Sequence, residues 1–106
     1  KAAVAGGIRV LLEQRGVTAD DIASVELAGG FGNYLSPENV VRIGMLPRAC
    51  LSKIRPLGNA ALAGASMLAL DGENWRKLAE IPEKCRYLEL SGRDDFSRVF
   101  TDSLTF

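Results

Sequence analysis

Twice along this chain of 106 residues a short β-type run breaks at glycine or proline and gives way to a helix, and that alternation narrows the fold more than any other feature. In the first unit, Ser24-Val25-Glu26-Leu27-Ala28 sets Val25 and Leu27 on one face of a strand and then meets Gly29-Gly30. Ser36-Pro37 follows as a helix start, serine at the N-cap and proline at the first helical position. Val40, Val41 and Ile43 continue that short helix and Gly44 closes it. In the second unit, Leu51 to Arg55 reads as a short strand ended by Pro56, and Gly58 to Leu70, GNAALAGASMLAL, as a strong helix. Its interior is almost all small: Ala60, Ala61, Ala63, Gly64, Ala65 and Ser66. Such a surface lets a helix approach a neighbouring backbone closely.

The flanks extend the same pattern. Val4, Ile8, Leu11 and Leu12 fall on one face of an N-terminal helix that Gly16 is placed to end. Gly6 and Gly7 inside it each weaken it by about 1 kcal/mol relative to alanine, which is tolerable where something must approach that surface. Thr18-Ala19-Asp20-Asp21 has the form of a capping-box variant, so Asp20 and Asp21 read as helix-start charges. Further on, Glu73 to Ala79 predicts a helix carrying Trp75 and Leu78, Arg86 to Leu90 alternates like a strand, and Asp94 to Phe100 predicts a last helix before the tail Leu104-Thr105-Phe106. The sum is an α/β pattern with no repeat, low-complexity tract or linker, hence one domain over residues 1–106.

Composition removes several functions. Thirteen acidic and 13 basic side chains cancel, so the chain lacks the basic field that nucleic acid or a membrane surface attracts. There is no histidine, the commonest general base and metal ligand. Cys50 and Cys85 match no metal or redox spacing and read as reduced thiols of a cytoplasmic protein. No apolar run is long enough to span a bilayer. Met45 and Met67 are the only methionines, so the chain is expected to be a piece cut from something larger.

The loop VELAGGFGNYLSPENV raises the question of phosphate binding. A P-loop needs a Gly-Lys pair, and the chain has none. The dinucleotide fingerprint fails as well: Gly30-Phe31-Gly32-Asn33-Tyr34-Leu35 has leucine where the third glycine belongs, and Leu51, Ser52 and Lys53 stand where its acidic residue would fall. A strand ending in Gly-Gly with exposed amides remains possible, and so does a plain tight turn.

The blocks Ala28-Gly29-Gly30-Phe31-Gly32 and Gly58-Asn59-Ala60-Ala61-Leu62-Ala63-Gly64, with KAAVAGGIRVLLEQRGV before them and YLELSG after, are specific when taken together, and what favours the first reading is the likeness they carry. Together they resemble the C-terminal domain of the ATP-dependent reductive activators of corrinoid proteins, within the superfamily of acetate and sugar kinases, Hsp70-type chaperones and actin. The resemblance implies a ribonuclease-H-like half-lobe with a small mixed sheet packed by helices. It implies that Gly29 and Gly30 lie against the ribose and α-phosphate of ATP, and that Phe31, Gly32 and Asn33 line the adenine side. Lys1, on the helix that flanks adenosine in relatives, becomes a further candidate contact. The small-faced helix from Gly58 would pack beneath the site through Ala60, Ala61 and Gly64, with Asn59 as its cap.

No catalytic residue and no metal ligand is expected in this chain: the Mg²⁺-associated acids and the first phosphate loops of that superfamily lie mainly upstream. Glu26 reads as a solvated or interface glutamate. A [2Fe–2S] cluster is implied only for the full-length protein, since two isolated cysteines cannot supply four ligands. The whole protein would couple ATP to electron transfer onto cobalt(II) of a corrinoid protein or corrinoid-dependent methyltransferase, while the fragment alone would be inactive. Two alternatives stand beside this reading, a non-catalytic dimerisation or partner-docking domain and part of a small-molecule kinase of the same superfamily. Val99, Phe100, Leu104 and Phe106 could form a docking patch or ordinary core, and Arg42, Arg48, Lys53 and Arg55 a phosphate stripe or a solvated face.

Overall fold

The structure is a computed structural model that describes every residue of the chain except Phe31, Asn33 and Phe106. Strand β1 (Val25–Ala28) and strand β2 (Ile54–Gly58) pair in parallel, Val25 opposite Ile54, Glu26 opposite Arg55, Leu27 opposite Pro56 and, after an irregularity, Ala28 opposite Gly58. Parallel neighbours need a long return connection. In this fold it holds helix α2 (Pro37–Arg42) and a 3-10 segment, Arg48–Lys53. Ser36 caps α2 as expected, its hydroxyl accepting from the Asn39 N–H at 3.3 Å.

Helix α1 (Ala2–Arg15) ends at Gly16, whose φ of 65° supplies the left-handed cap. Thr18 and Asp21 form the expected capping box: the Asp21 carboxylate accepts from the N–H and the hydroxyl of Thr18, each at 2.8 Å. Those bonds, the backbone one first, favour the ionised acid and hold its pKa below the ordinary range.

Helix α5 (Asp94–Asp102) lies on α1, and this seam explains the paired glycines of the N-terminal helix. A Cβ at Gly6 would stand 3.2 Å from Phe96 Cε2 and 3.5 Å from the Phe100 backbone nitrogen, and one at Gly7 would stand 3.4 Å from Leu90 Cδ1. The lost helix propensity therefore permits close approach. Val10 on α1 and Val99 on α5 are each 1% exposed; Ala2, Val40, Leu46 and Cys50 complete the buried apolar set among the described residues. Val99 thus belongs to core packing and Phe100 is partly covered, while Leu104 is exposed and Phe106 lies outside the described residues.

Several expectations are corrected. Among the described residues the sheet is parallel and two-stranded rather than mixed. Residues 86–90 form no strand; Leu90 leans on α1 at Gly7, and period-2 alternation arises equally in an extended segment half-covered by a helix. Residues 51–53 are 3-10 rather than strand, and Pro56 lies within β2 instead of ending it. A proline is admissible there because each strand of a two-stranded sheet is an edge, and the register slips immediately beyond Leu27–Pro56. Helix α4 (Glu73–Lys84) outruns its expected end at Ala79. Helix α3 (Ala60–Leu70) packs against α4, and a Cβ on Gly64 would meet nothing within 4 Å. Among the described residues, the close packing expected of Ala60, Ala61 and Gly64 beneath the loop is not made: Ala61 is exposed, and Ala60 and Gly64 are only partly covered.

Candidate functional site

A glycine with positive φ follows β1 and another ends β2, and the two sit side by side. Gly29 has φ 93° and Gly58 φ 68°. The Gly29 N–H donates to the Gly58 carbonyl at 2.7 Å, carrying the ladder one step beyond β1. The Gly29-Gly30 turn is thereby fixed to the residue that precedes Asn59 and α3. Ligands of parallel α/β sheets gather at the carboxyl ends of strands, where helix N-termini and turn amides converge.

The three described glycines of the loop do different jobs. Gly32 is buried, and a Cβ there would lie 3.1 Å from both C and O of Leu27 and 3.2 Å from the Ala28 carbonyl oxygen. The loop therefore folds back against the end of β1, and only glycine lets it. Gly29 is required by its φ, which side chains resist. Gly30 has neither constraint among the described residues: its φ is not positive, and a Cβ would meet none of them within 4 Å. Among the described residues, nothing stands within 4 Å of where a Cβ on Gly29 or Gly30 would be. Phe31 and Asn33, the other expected loop contacts, lie outside the described residues.

The Lys1 ammonium donates to the carbonyls of Ser103 at 2.5 Å and Thr105 at 2.6 Å, and its Cε lies near Gly44. It ties the start of α1 to the segment after α5. Asn59 is the helix cap it was expected to be, its side-chain oxygen accepting from the Leu62 N–H at 3.0 Å. Glu26 is exposed and lies across the ladder from Arg55. Of the basic residues, Lys53 is taken up structurally, donating to the carbonyls of Asp20 at 2.7 Å and Ala19 at 3.4 Å; Arg42, Arg48 and Arg55 are exposed.

Clefts also lie away from the loop. One of about 400 Å³ runs along α1 between Ile8, Leu12, Val41, Met45 and Leu46. Its wall is mainly aliphatic and offers few of the convergent polar groups that orient a substrate, so concavity alone does not mark the site. Among the described residues no three His, Cys, Asp or Glu side chains gather within reach of one metal ion. Cys50 is buried and Cys85 exposed, with no disulfide between them.

The contribution of Gly58 escaped the sequence reading. Its signal was present, since Leu57-Gly58-Asn59 repeats the strand-glycine-turn form of Ala28-Gly29-Gly30. Taking Pro56 as the end of the strand concealed it.

Comparison with known proteins gives a consistent result. A family model described as the "C-terminal domain of RACo the ASKHA domain" matches residues 1–106. The chain is 31% identical over 106 residues to the corrinoid activation enzyme RamQ of Eubacterium limosum, a match that covers all of this chain and 18% of that protein. A solved structure of a "reductive activator for corrinoid,iron-sulfur protein" is similar at TM-score 0.85 and 35% identity, over 94% of this chain and 16% of the other. The chain thus spans less than a fifth of the length of these relatives. No helix among the described residues is long and apolar enough to cross a membrane. With its strand-glycine-helix units, its loop and its full length matched, this chain belongs to the family of C-terminal ASKHA domains of corrinoid reductive activators.

Proposed function

We propose that this domain supplies the adenosine-facing half of an ATP cleft in a longer, cytoplasmic reductive activator, with the other half built by other parts of that polypeptide. The observation that carries this reading is the Gly29-Gly30 turn. A Cβ on either glycine would meet none of the described residues within 4 Å, and the turn stands at the carboxyl ends of two parallel strands beside Gly58. Backbone amides approaching a ribose or an α-phosphate need that absence of side chain. Gly32 presses the loop onto β1 and so holds the turn in place before any ligand arrives. Phe31 and Asn33 complete the adenine side in this reading, and Lys1 keeps its tie to the C-terminal segment.

The donor set does not fit a metal centre: no cluster among the described residues can hold Mg²⁺ by itself, and two cysteines cannot hold a [2Fe–2S] cluster. Both groups belong to the rest of the full-length protein in this proposal, and no step is assigned to this domain through either. The work of the domain is conformational. ATP favours a closed state only to the extent that it binds that state better, and a cleft split between two bodies provides such a difference because neither half makes all the contacts. Closure would assist reduction of a corrinoid protein from cobalt(II) to cobalt(I), the electron arriving from a donor outside this chain.

The test is titration of ATP into the full-length protein and its Gly30→Val variant. Affinity is expected to fall at least about tenfold, or about 1.4 kcal/mol, while the domain stays folded. Equal affinities would sink the assignment.

A further inference from the structure

Helix α1 and residues 86–88 flank a cleft of about 550 Å³. Leu11, Gln14 and Arg15 line one wall, spaced i, i+3 and i+4 along the last two turns of α1. Arg86, Tyr87 and Leu88 line the other. The described lining therefore holds two guanidinium groups and no acid. Among the described residues neither Arg15 nor Arg86 makes an ion pair or a side-chain hydrogen bond, whereas Arg9, Arg76, Lys84 and Arg93 each hold a carboxylate within 3.3 Å. The acids nearest to the cleft in sequence are committed elsewhere. Glu13 pairs with Arg9 at 3.3 Å, and Glu89 accepts from the Tyr87 hydroxyl at 2.6 Å and the Ser91 N–H at 2.9 Å.

Charge of one sign between apolar walls focuses the field and gathers counter-ions, and Leu11 and Leu88 supply such walls. The negative end of the α1 dipole opposes an anion there by about fivefold in affinity at most. The Gly16 and Val17 N–H groups already satisfy the Glu13 and Leu12 carbonyls at that end, both at 3.1 Å. We propose that this cleft binds a small organic dianion, its oxyanion held by the Arg15 and Arg86 forks and its apolar body laid on Leu11, Leu88 and the Tyr87 ring. The planar guanidinium fork matches an oxyanion with two parallel hydrogen bonds. Two unpaired positive charges are neutralised by two negative ones, which a phosphate monoester or a dicarboxylate carries. The volume lies in the range that accepts an organic ligand, and a bare inorganic ion would leave most of it unfilled. A polyanion does not suit it: the charges of the chain sum to zero, and nucleic acid or an anionic membrane calls for a broad basic field. The site is separate from the proposed ATP cleft, because no residue of the Gly29-Gly30 turn lines it.

Phenylglyoxal modification of the full-length protein, read at each arginine by peptide mass spectrometry, tests the proposal. Phenyl phosphate and phenylsuccinate are the probes, one for each source of the dianion, with benzyl alcohol as the uncharged control and sodium chloride at matched ionic strength. Arg15 and Arg86 are expected to react in the free protein and to be protected together, saturably, by at least one of the two dianions. The exposed Arg42 and Arg55 should keep their rates. Arg15→Gln should raise the dianion concentration that half-protects Arg86 at least about tenfold, and Arg86→Gln should do the same for Arg15. Both side chains are exposed, so neither variant disturbs the core. Protection by phenyl phosphate alone would assign a phosphate monoester, and by phenylsuccinate alone a dicarboxylate. Arginines that fail to react before any anion is added would overturn the proposal, because the cleft would then be filled by protein. So would equal protection by chloride or benzyl alcohol, protection of one arginine without the other, or half-protection that neither variant moves.

Discussion

Replacing each of the three described loop glycines by alanine separates what holds the turn from what the turn is for. At Gly32 the new Cβ would sit 3.1 Å from the carbonyl carbon and oxygen of Leu27. Those are backbone atoms of β1 and cannot swing aside as a side-chain end can, so overpacking of about 1–3 kcal/mol is expected. At Gly29 there is no clash, but φ is 93°, and an L-residue there costs about 1–2 kcal/mol. At Gly30 neither penalty applies, and the change should stay within about 0.5 kcal/mol. Native-state hydrogen exchange of the β1 amides and of the Gly29 N–H reads local opening without requiring the whole protein to unfold in two states. Gly29→Ala should raise the opening population about fivefold to thirtyfold, Gly32→Ala at least as much, and Gly30→Ala barely at all. Of the three, only Gly30→Ala should then weaken ATP while leaving the turn as stable as before. If Gly30→Ala opens the turn as much as Gly29→Ala does, or if Gly29→Ala is silent, this division of roles among the glycines is refuted.

Two further outcomes follow from the α1–α5 side of the molecule. Gly6→Val should loosen that seam by about 1–3 kcal/mol, seen as faster exchange at the Val99 amide, whereas Gly6→Ala should be nearly neutral because about 1 kcal/mol of helix propensity is set against a contact with the Phe96 ring that can give a little. The Asp95 carboxylate is bonded by Arg93 Nε at 2.9 Å and Nη2 at 2.6 Å and by the Phe96 N–H at 2.8 Å, which lowers its pKa from the ordinary 3.8 to about 2, the Arg93 bond contributing most. Because the folded value is the lower one, this stabilisation is complete above pH 3.8 and disappears as pH falls through about 2. A carboxyl-carbon NMR titration should place the Asp95 midpoint near 2 and should show it rise in Arg93→Gln; an unchanged midpoint in that variant would rule out Arg93 as the cause.

Local chemistry was legible from residue order because its partners lie within a few positions. The Thr18–Asp21 box, the Ser36 and Asn59 caps and the Gly16 terminator each join residues two to five apart, and each is present in the structure. Val25 and Leu27 share the more covered face of β1, as their alternation implied. Pro56 misled, because whether a proline ends a strand depends on which side of the ladder lacks a neighbour, and sequence does not carry that. Residues 86–90 misled for a related reason, since alternation records half-burial without saying what does the covering.

The sequence by itself determined that strands alternate with helices, that P-loop and dinucleotide chemistry are absent, and that a Gly-Gly turn follows β1. Tertiary structure alone decided that the two strands run parallel and that Gly58 receives the Gly29 N–H. It also sorted the loop glycines, Gly32 for close packing, Gly29 for its φ and Gly30 for neither reason among the described residues. The small residues of α3 and α1 look alike on paper, yet a Cβ on Gly6 would press on α5 while one on Gly64 would meet none of the described residues. The physical reason is one of range. Caps and turns are settled by bonds a few residues long, whereas the use of a missing side chain depends on what comes to stand beside it, and that is a property of the assembled fold.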